Sequence, residues 1–265
     1  VRRVGILPTL VTAANGFCGL LAIYKTQDGK YDAAAIMILL AMVFDVLDGL
    51  VARRAGITSR FGAYLDSLSD AVSFGVAPAF LVKVVVEASP AIGIYGAKAL
   101  TGLTAIFTLA ALFRLARYNV EHTPSEGRRA DGRAVATFAG MPTPGAAGVL
   151  ASLVFLQQEI GSPRLDFLFY AFPILCPVLG YLMVSRLPFV HVGTRFLRGR
   201  RDFAYLFLVV VVLVMLIRFP AQGTAAAFVI YMVSGIALAI RRKLKGQPTE
   251  ESTAEHQTED IPEGL

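Results

Sequence analysis

Two cysteines and three histidines are all that the chain contains of the softer metal ligands. Cys18 and Cys176 both fall inside apolar segments, where a small buried side chain is cysteine's ordinary use, so neither a disulfide nor a thiolate metal site is expected. His122 and His191 stand near membrane boundaries without the spacing of a metal pair or a nucleophile relay. Charge is scarce as well: 17% of residues are charged, 55% are hydrophobic, and the mean hydropathy is +0.62. This composition excludes an ordinary soluble domain and implies an all-α, polytopic membrane protein.

Other features are missing too. The basic residues are not interleaved with aromatics along any stripe, so the net charge of +6 does not indicate nucleic acid as a partner. Nothing in the first segment has the small-residue cleavage pattern of a signal peptide, and that segment is expected to stay. No internal repeat is apparent.

Hydropathy suggests about eight spanning helices, at 10–24, 33–53, 61–86, 97–118, 143–157, 166–184, 203–218 and 224–240. The chain then divides into an N-terminal interfacial segment (1–9), a transmembrane catalytic domain (10–245) and a disordered acidic tail (246–265). Of the 25 Lys and Arg residues, 19 fall in one set of alternate loops and termini. By the positive-inside rule, both termini lie on the cytoplasmic side.

The chain is organised around Asp45 to Asp70. Asp45, Asp48, Gly49 and Ala52 share one side of a helix at about 100 degrees per residue, and Gly62, Asp66, Ser69, Asp70 and Ser73 share one side of the next. The short connection between the two should make them antiparallel neighbours with facing acidic sides. Four converging carboxylates require cations among them, and all-oxygen ligation suits Mg²⁺, Mn²⁺ or Ca²⁺. Gly49 and Gly62 leave room beside the carboxylates, and Arg53 offers a fork for phosphate. The expected cargo is a metal-bound diphosphate, handled at the cytoplasmic face of the membrane.

The spacing of Asp45, Asp48, Gly49, Ala52, Arg53, Gly62, Asp66 and Asp70 resembles the complete signature of the CDP-alcohol phosphatidyltransferase family. Four further stretches, 69–75, 113–119, 138–144 and 182–186, resemble its phosphatidylserine synthase branch. The resemblance covers about Pro8 to Arg201. It implies transfer of a phosphatidyl group from CDP-diacylglycerol to the hydroxyl of L-serine, at a membrane, by a homodimer. Two divalent ions, Mg²⁺ or Mn²⁺, would be held by Asp45, Asp48, Asp66 and Asp70. Asp66 and Asp70 would be catalytic, with Asp70 the general base. Asn15, Asp48, Gly49, Ala52, Arg53 and Gly62 would receive CDP-diacylglycerol.

A second set of polar residues has two readings each. Asn15, beside Gly16 and Gly19, is either near the nucleotide or a helix-helix hydrogen bond. Ser73 is either a wall of the acceptor pocket or bonded back to its helix. Gly75 and Pro78 should bend or widen the helix that follows. Arg114, Arg117 and Asn119 are either acceptor-binding groups, the two arginines three apart on one face, or plain interfacial anchors. The acceptor could also be glycerol 3-phosphate or inositol phosphate. From other classes, an ion-coupled transporter or a purely structural membrane protein would carry buried charge differently.

Overall fold

The computed structural model describes residues 6–55, 60–122, 140–185 and 220–244. Among them there is no strand. The helices are α1 (Ile6–Gln27), α2 (Tyr31–Ala55), α3 (Arg60–Asp70), a π-helical turn (Ala71–Val76), α4 (Ala77–Glu87), α5 (Ile92–His122), α6 (Thr143–Ile160), a 3₁₀ turn (Pro163–Leu165), α7 (Phe167–Val184) and α8 (Pro220–Leu244).

Among the described residues, five stretches are long and apolar enough to cross a bilayer: Tyr31–Val51, Phe61–Glu87, Ile92–Val120, Pro163–Val184 and Pro220–Leu238. The protein is therefore an integral membrane protein. The expected spans at 10–24 and 143–157 are helical, as α1 and α6. The span at 203–218, the tail at 246–265 and residues 1–5 lie outside the described residues. Residues 6–9 of the expected interfacial segment form the first turn of α1.

The bundle is built on small residues. On α2, Ala34, Ile38 and Ala41 are fully buried, and their spacing of four and three marks the inward stripe. One and two turns further along that stripe come Asp45 and Asp48, so the carboxylates point where the apolar face points. On α3, Phe61, Tyr64 and Leu68 are exposed toward the surroundings, while Ser69 and Asp70 are buried.

The acidic sides of α2 and α3 face each other as expected, at Asp45, Asp48 and Asp66, but another helix dominates their packing. α2 and α3 are not packed chiefly on each other; both pack on α1, which is the neighbour they share. Gly16 and Gly19 explain how α1 comes so close. A Cβ on Gly16 would lie 2.9 Å from Ser69 Oγ, and one on Gly19 would lie 2.7 Å from the Ser73 backbone Cα. The remaining contacts close the bundle: α2 and α8 on α6, α5 on α7, and α4 against α1, α5 and α7.

The expected bend near Gly75 and Pro78 takes a specific form. Directly after Asp70 the chain widens into a π turn, in which Ala77 N–H reaches Val72 O. Pro78 has no N–H to return to the carbonyls of that turn. The Thr108 hydroxyl of α5 donates to Gly75 O at 3.1 Å, supplying a bond from outside the helix.

Candidate active site at an aspartate cluster

Asp45 and Asp48 of α2 and Asp66 of α3 place one carboxylate oxygen each within 4.8 Å of one another. Asp48 is buried, and the other two are half-buried. The Thr12 hydroxyl of α1 hydrogen-bonds the Asp48 carboxylate. Asp48 Oδ2 and Asp66 Oδ1 are buried without a hydrogen-bond partner. Buried carboxylate oxygens pointing inward, with no donor from the protein, fit a hard cation held by oxygen ligands.

Asp70 lies beyond this trio. It is 9% exposed, and its Oδ1 accepts from Asn15 Nδ2 at 2.9 Å. The backbone carbonyl of Asn15 in turn accepts from Ser73 Oγ at 2.9 Å. Asn15 thus ties α1 to both sides of the junction between α3 and the π turn. Its Oδ1 is buried without a partner, which leaves an acceptor available to a ligand. Both readings of Asn15, helix contact and ligand contact, have a geometric basis. Ser73 is fully buried and engaged with α1.

The remaining candidates separate by exposure. Gly49 and Gly62 are half-buried beside the carboxylates. The side chains of Ala52 and Arg53 lie outside the described residues. Arg114 and Arg117 share a helix but not an environment: Arg117 is exposed, whereas Arg114 is half-buried and donates from a terminal guanidinium nitrogen to Thr143 Oγ1 at 3.0 Å. Arg114 also lies within electrostatic reach of Asp70, Tyr118 and Tyr231. Asn119 Oδ1 accepts from Ser67 Oγ at 2.8 Å, joining the end of α5 to α3.

Two of the stretches singled out above meet in space. Met141 N–H donates to Leu182 O at 2.9 Å, and Gly140, at φ 103°, lies where a Cβ would be 2.6 Å from Met183 O. Only glycine fits that approach. The contact fixes the start of α6, and with it Thr143. Cys18 and Cys176 are buried free thiols, as the ordinary reading has it.

Three residues joined to the site were given no individual role by the sequence: Thr12, Thr143 and Tyr231. Thr12 is three residues before Asn15 on the same face of α1, a spacing that could have flagged it. Thr143 lies within the stretch 138–144 noted above, but spacing could not join it or Tyr231 to Arg114, which they reach from separate helices.

A model of the CDP-alcohol phosphatidyltransferase family matches residues 5–192, and the chain belongs to this family. Among curated relatives, the CDP-diacylglycerol–serine O-phosphatidyltransferase of Bacillus subtilis is 33% identical over 190 residues, covering 70% of this chain and 90% of that protein. The protein of the same name from Helicobacter pylori is 28% identical over 233 residues, covering 87% of this chain and 90% of its own length. The archaetidylserine synthase of Methanothermobacter thermautotrophicus is 38% identical over 148 residues, covering 55% and 56%.

Proposed function

We propose that this chain transfers the phosphatidyl group of CDP-diacylglycerol to the hydroxyl of L-serine and releases CMP. The observation that carries the reading is the trio Asp45, Asp48 and Asp66, with two buried oxygens lacking any protein donor. Its support from relatives is the shared name of the Bacillus and Helicobacter enzymes, each matched over 90% of its length.

Asp45, Asp48 and Asp66 would hold divalent cations, Mg²⁺ or Mn²⁺, with Asp70 completing the set in the two-ion form that the signature implies. When bound, such ions offset the diphosphate charge and stabilise CMP as leaving group. Asn15, Gly49, Ala52, Arg53 and Gly62 receive the nucleotide and diphosphate beside Asp48. Asp70 acts as general base. Asn15 holds one of its oxygens, which orients the carboxyl and leaves the other for the acceptor hydroxyl. As the serine oxygen bonds to the phosphatidyl phosphorus, the bond from that phosphorus to the CMP oxygen breaks, and the serine proton passes to Asp70. Arg114 is the best placed of the acceptor-binding candidates, ahead of Ser73, Arg117 and Asn119, because it faces the interior near Asp70.

The substrate's two natures suit this location: acyl tails stay in lipid while the polar head meets the carboxylates. The Lys and Arg distribution supports a cytoplasmic-membrane protein with the site and both termini on the cytoplasmic side. A homodimer, and the division into segments 1–9, 10–245 and 246–265, belong to the same proposal.

The test is CMP release by purified protein with CDP-diacylglycerol and Mn²⁺ or Mg²⁺, supplying L-serine, glycerol 3-phosphate and inositol phosphate separately. Serine-dependent release abolished by Asp66→Asn is expected. Release with only another alcohol would overturn the acceptor while keeping the reaction class.

A further inference from the structure

α8 lies beyond the stretch matched by the family model, which ends at residue 192, yet it packs on α6 directly beside the site. The contact is a repeated socket. On α6, Gly145 and Gly148 stand three apart; on α8, Phe228 and Tyr231 stand three apart. The Tyr231 ring lies over Gly145, where an added Cβ would be 3.0 Å from Cε1, and the Phe228 ring lies over Gly148 in closer contact. The pairs run in opposite directions along the two helices, so Tyr231 falls at the Thr143 end of α6.

The two sockets differ in one group, a hydroxyl. Packing in a glycine socket is served by phenylalanine at 228, so the ring alone does not account for tyrosine at 231. A half-buried phenol needs a polar partner. The charged group in reach of Tyr231 is the Arg114 guanidinium, which is bonded to Thr143 two residues before Gly145 and also faces Asp70. Arg114 is thereby approached from two helices: Thr143 on α6 accepts its hydrogen bond, and the Tyr231 phenol on α8 lies within electrostatic reach. A guanidinium fixed in this way can receive an anionic group on the acceptor without first losing its own conformational freedom.

We infer that Tyr231 of α8 is a positioning residue for acceptor recognition, acting through Arg114, and that α8 forms one wall of the acceptor side of the site. This rests on the acceptor role given to Arg114 under the proposed function.

The experiment compares Tyr231→Phe with wild type in CMP release, varying serine and CDP-diacylglycerol in turn, with thermal unfolding in detergent measured alongside. Tyr231→Phe keeps the ring in its socket but removes the phenol facing Arg114, and should raise the serine KM about 3- to 10-fold, with the CDP-diacylglycerol KM unchanged and the melting temperature lowered less than in Phe228→Leu. Phe228→Leu thins the same helix contact and should lower the melting temperature while leaving the serine KM alone. Because Tyr231 acts through Arg114, Tyr231→Phe combined with Arg114→Lys should raise the serine KM by clearly less than the product of the two single effects. An unchanged serine KM in Tyr231→Phe, an equal rise in Phe228→Leu, or independent effects of the paired substitutions would overturn the inference. Serine-dependent release by wild type upholds the acceptor assignment whatever Tyr231 does. If wild type uses another alcohol, the same variants are read on the KM of that alcohol.

Discussion

Asn15 Nδ2 donates to Asp70 Oδ1 at 2.9 Å, joining α1 to the end of α3 across 55 positions of sequence. Both groups are buried, so the bond has no water to replace it. Asn15→Ala should lower kcat about 10- to 100-fold, as an oriented base becomes a loose one. Steady-state turnover at saturating CDP-diacylglycerol and serine checks this; wild-type kcat in the variant would remove Asn15 from the positioning of Asp70.

The same helix is held close by two glycines, and their costs should differ. A Cβ on Gly19 meets the Ser73 backbone, which cannot step aside, whereas one on Gly16 meets first the Ser69 hydroxyl, which can rotate. Gly19→Ala should destabilise the protein by about 1–3 kcal/mol, the usual cost of overpacking, and Gly16→Ala by less. Thermal or denaturant unfolding in detergent gives the order; the reverse order would refute the close approach of α1 at Ser73.

Metal binding should be visible without catalysis. A ligand that binds the folded state alone raises its stability, by about 2.7 kcal/mol at a hundredfold excess over Kd. Mn²⁺ should therefore raise the melting temperature of the wild type. Asp48→Asn and Asp66→Asn should lose that rise, yet melt no lower than wild type in chelator, because each removes one of three crowded carboxylates. A full Mn²⁺-induced rise in both variants would place the ion elsewhere.

The π turn after Asp70 depends on a donor from another helix. Thr108→Val keeps the shape and removes the hydroxyl that serves Gly75 O, leaving a buried carbonyl without that bond. A loss of about 1–3 kcal/mol is expected. Chemical unfolding measures it, and an unchanged midpoint would show that the carbonyl is served in another way.

Much of the fold was legible because helix periodicity is a local property. The stripe Ala34, Ile38, Ala41, Asp45 and Asp48 can be read from spacing alone, and it faces inward as spacing requires. Apolar length likewise located the helices among the described residues, with ends shifted by a few residues. The acidic faces of α2 and α3 meet as their spacing suggested, but their chief packing neighbour was not legible: a short connection limits distance but does not forbid a third helix from packing on both. Gly16 and Gly19 held that information, since two glycines on one face permit such an approach, but spacing could not name Ser69 and Ser73 as the surfaces approached.

The sequence by itself determined a helical membrane protein and put the carboxylates of Asp45, Asp48, Asp66 and Asp70 on inward helix faces, because side-chain direction repeats with the helix turn. Only the tertiary structure decided which of them gather. It drew Asp45, Asp48 and Asp66 into one trio, bonded the neighbouring Asp70 to Asn15, and turned Arg114 rather than Arg117 toward the interior. It also brought Thr143 and Tyr231 to Arg114 from α6 and α8. These choices depend on packing between segments far apart in the chain, where the small size of Gly16, Gly19, Gly145 and Gly148 sets how closely each helix can lie.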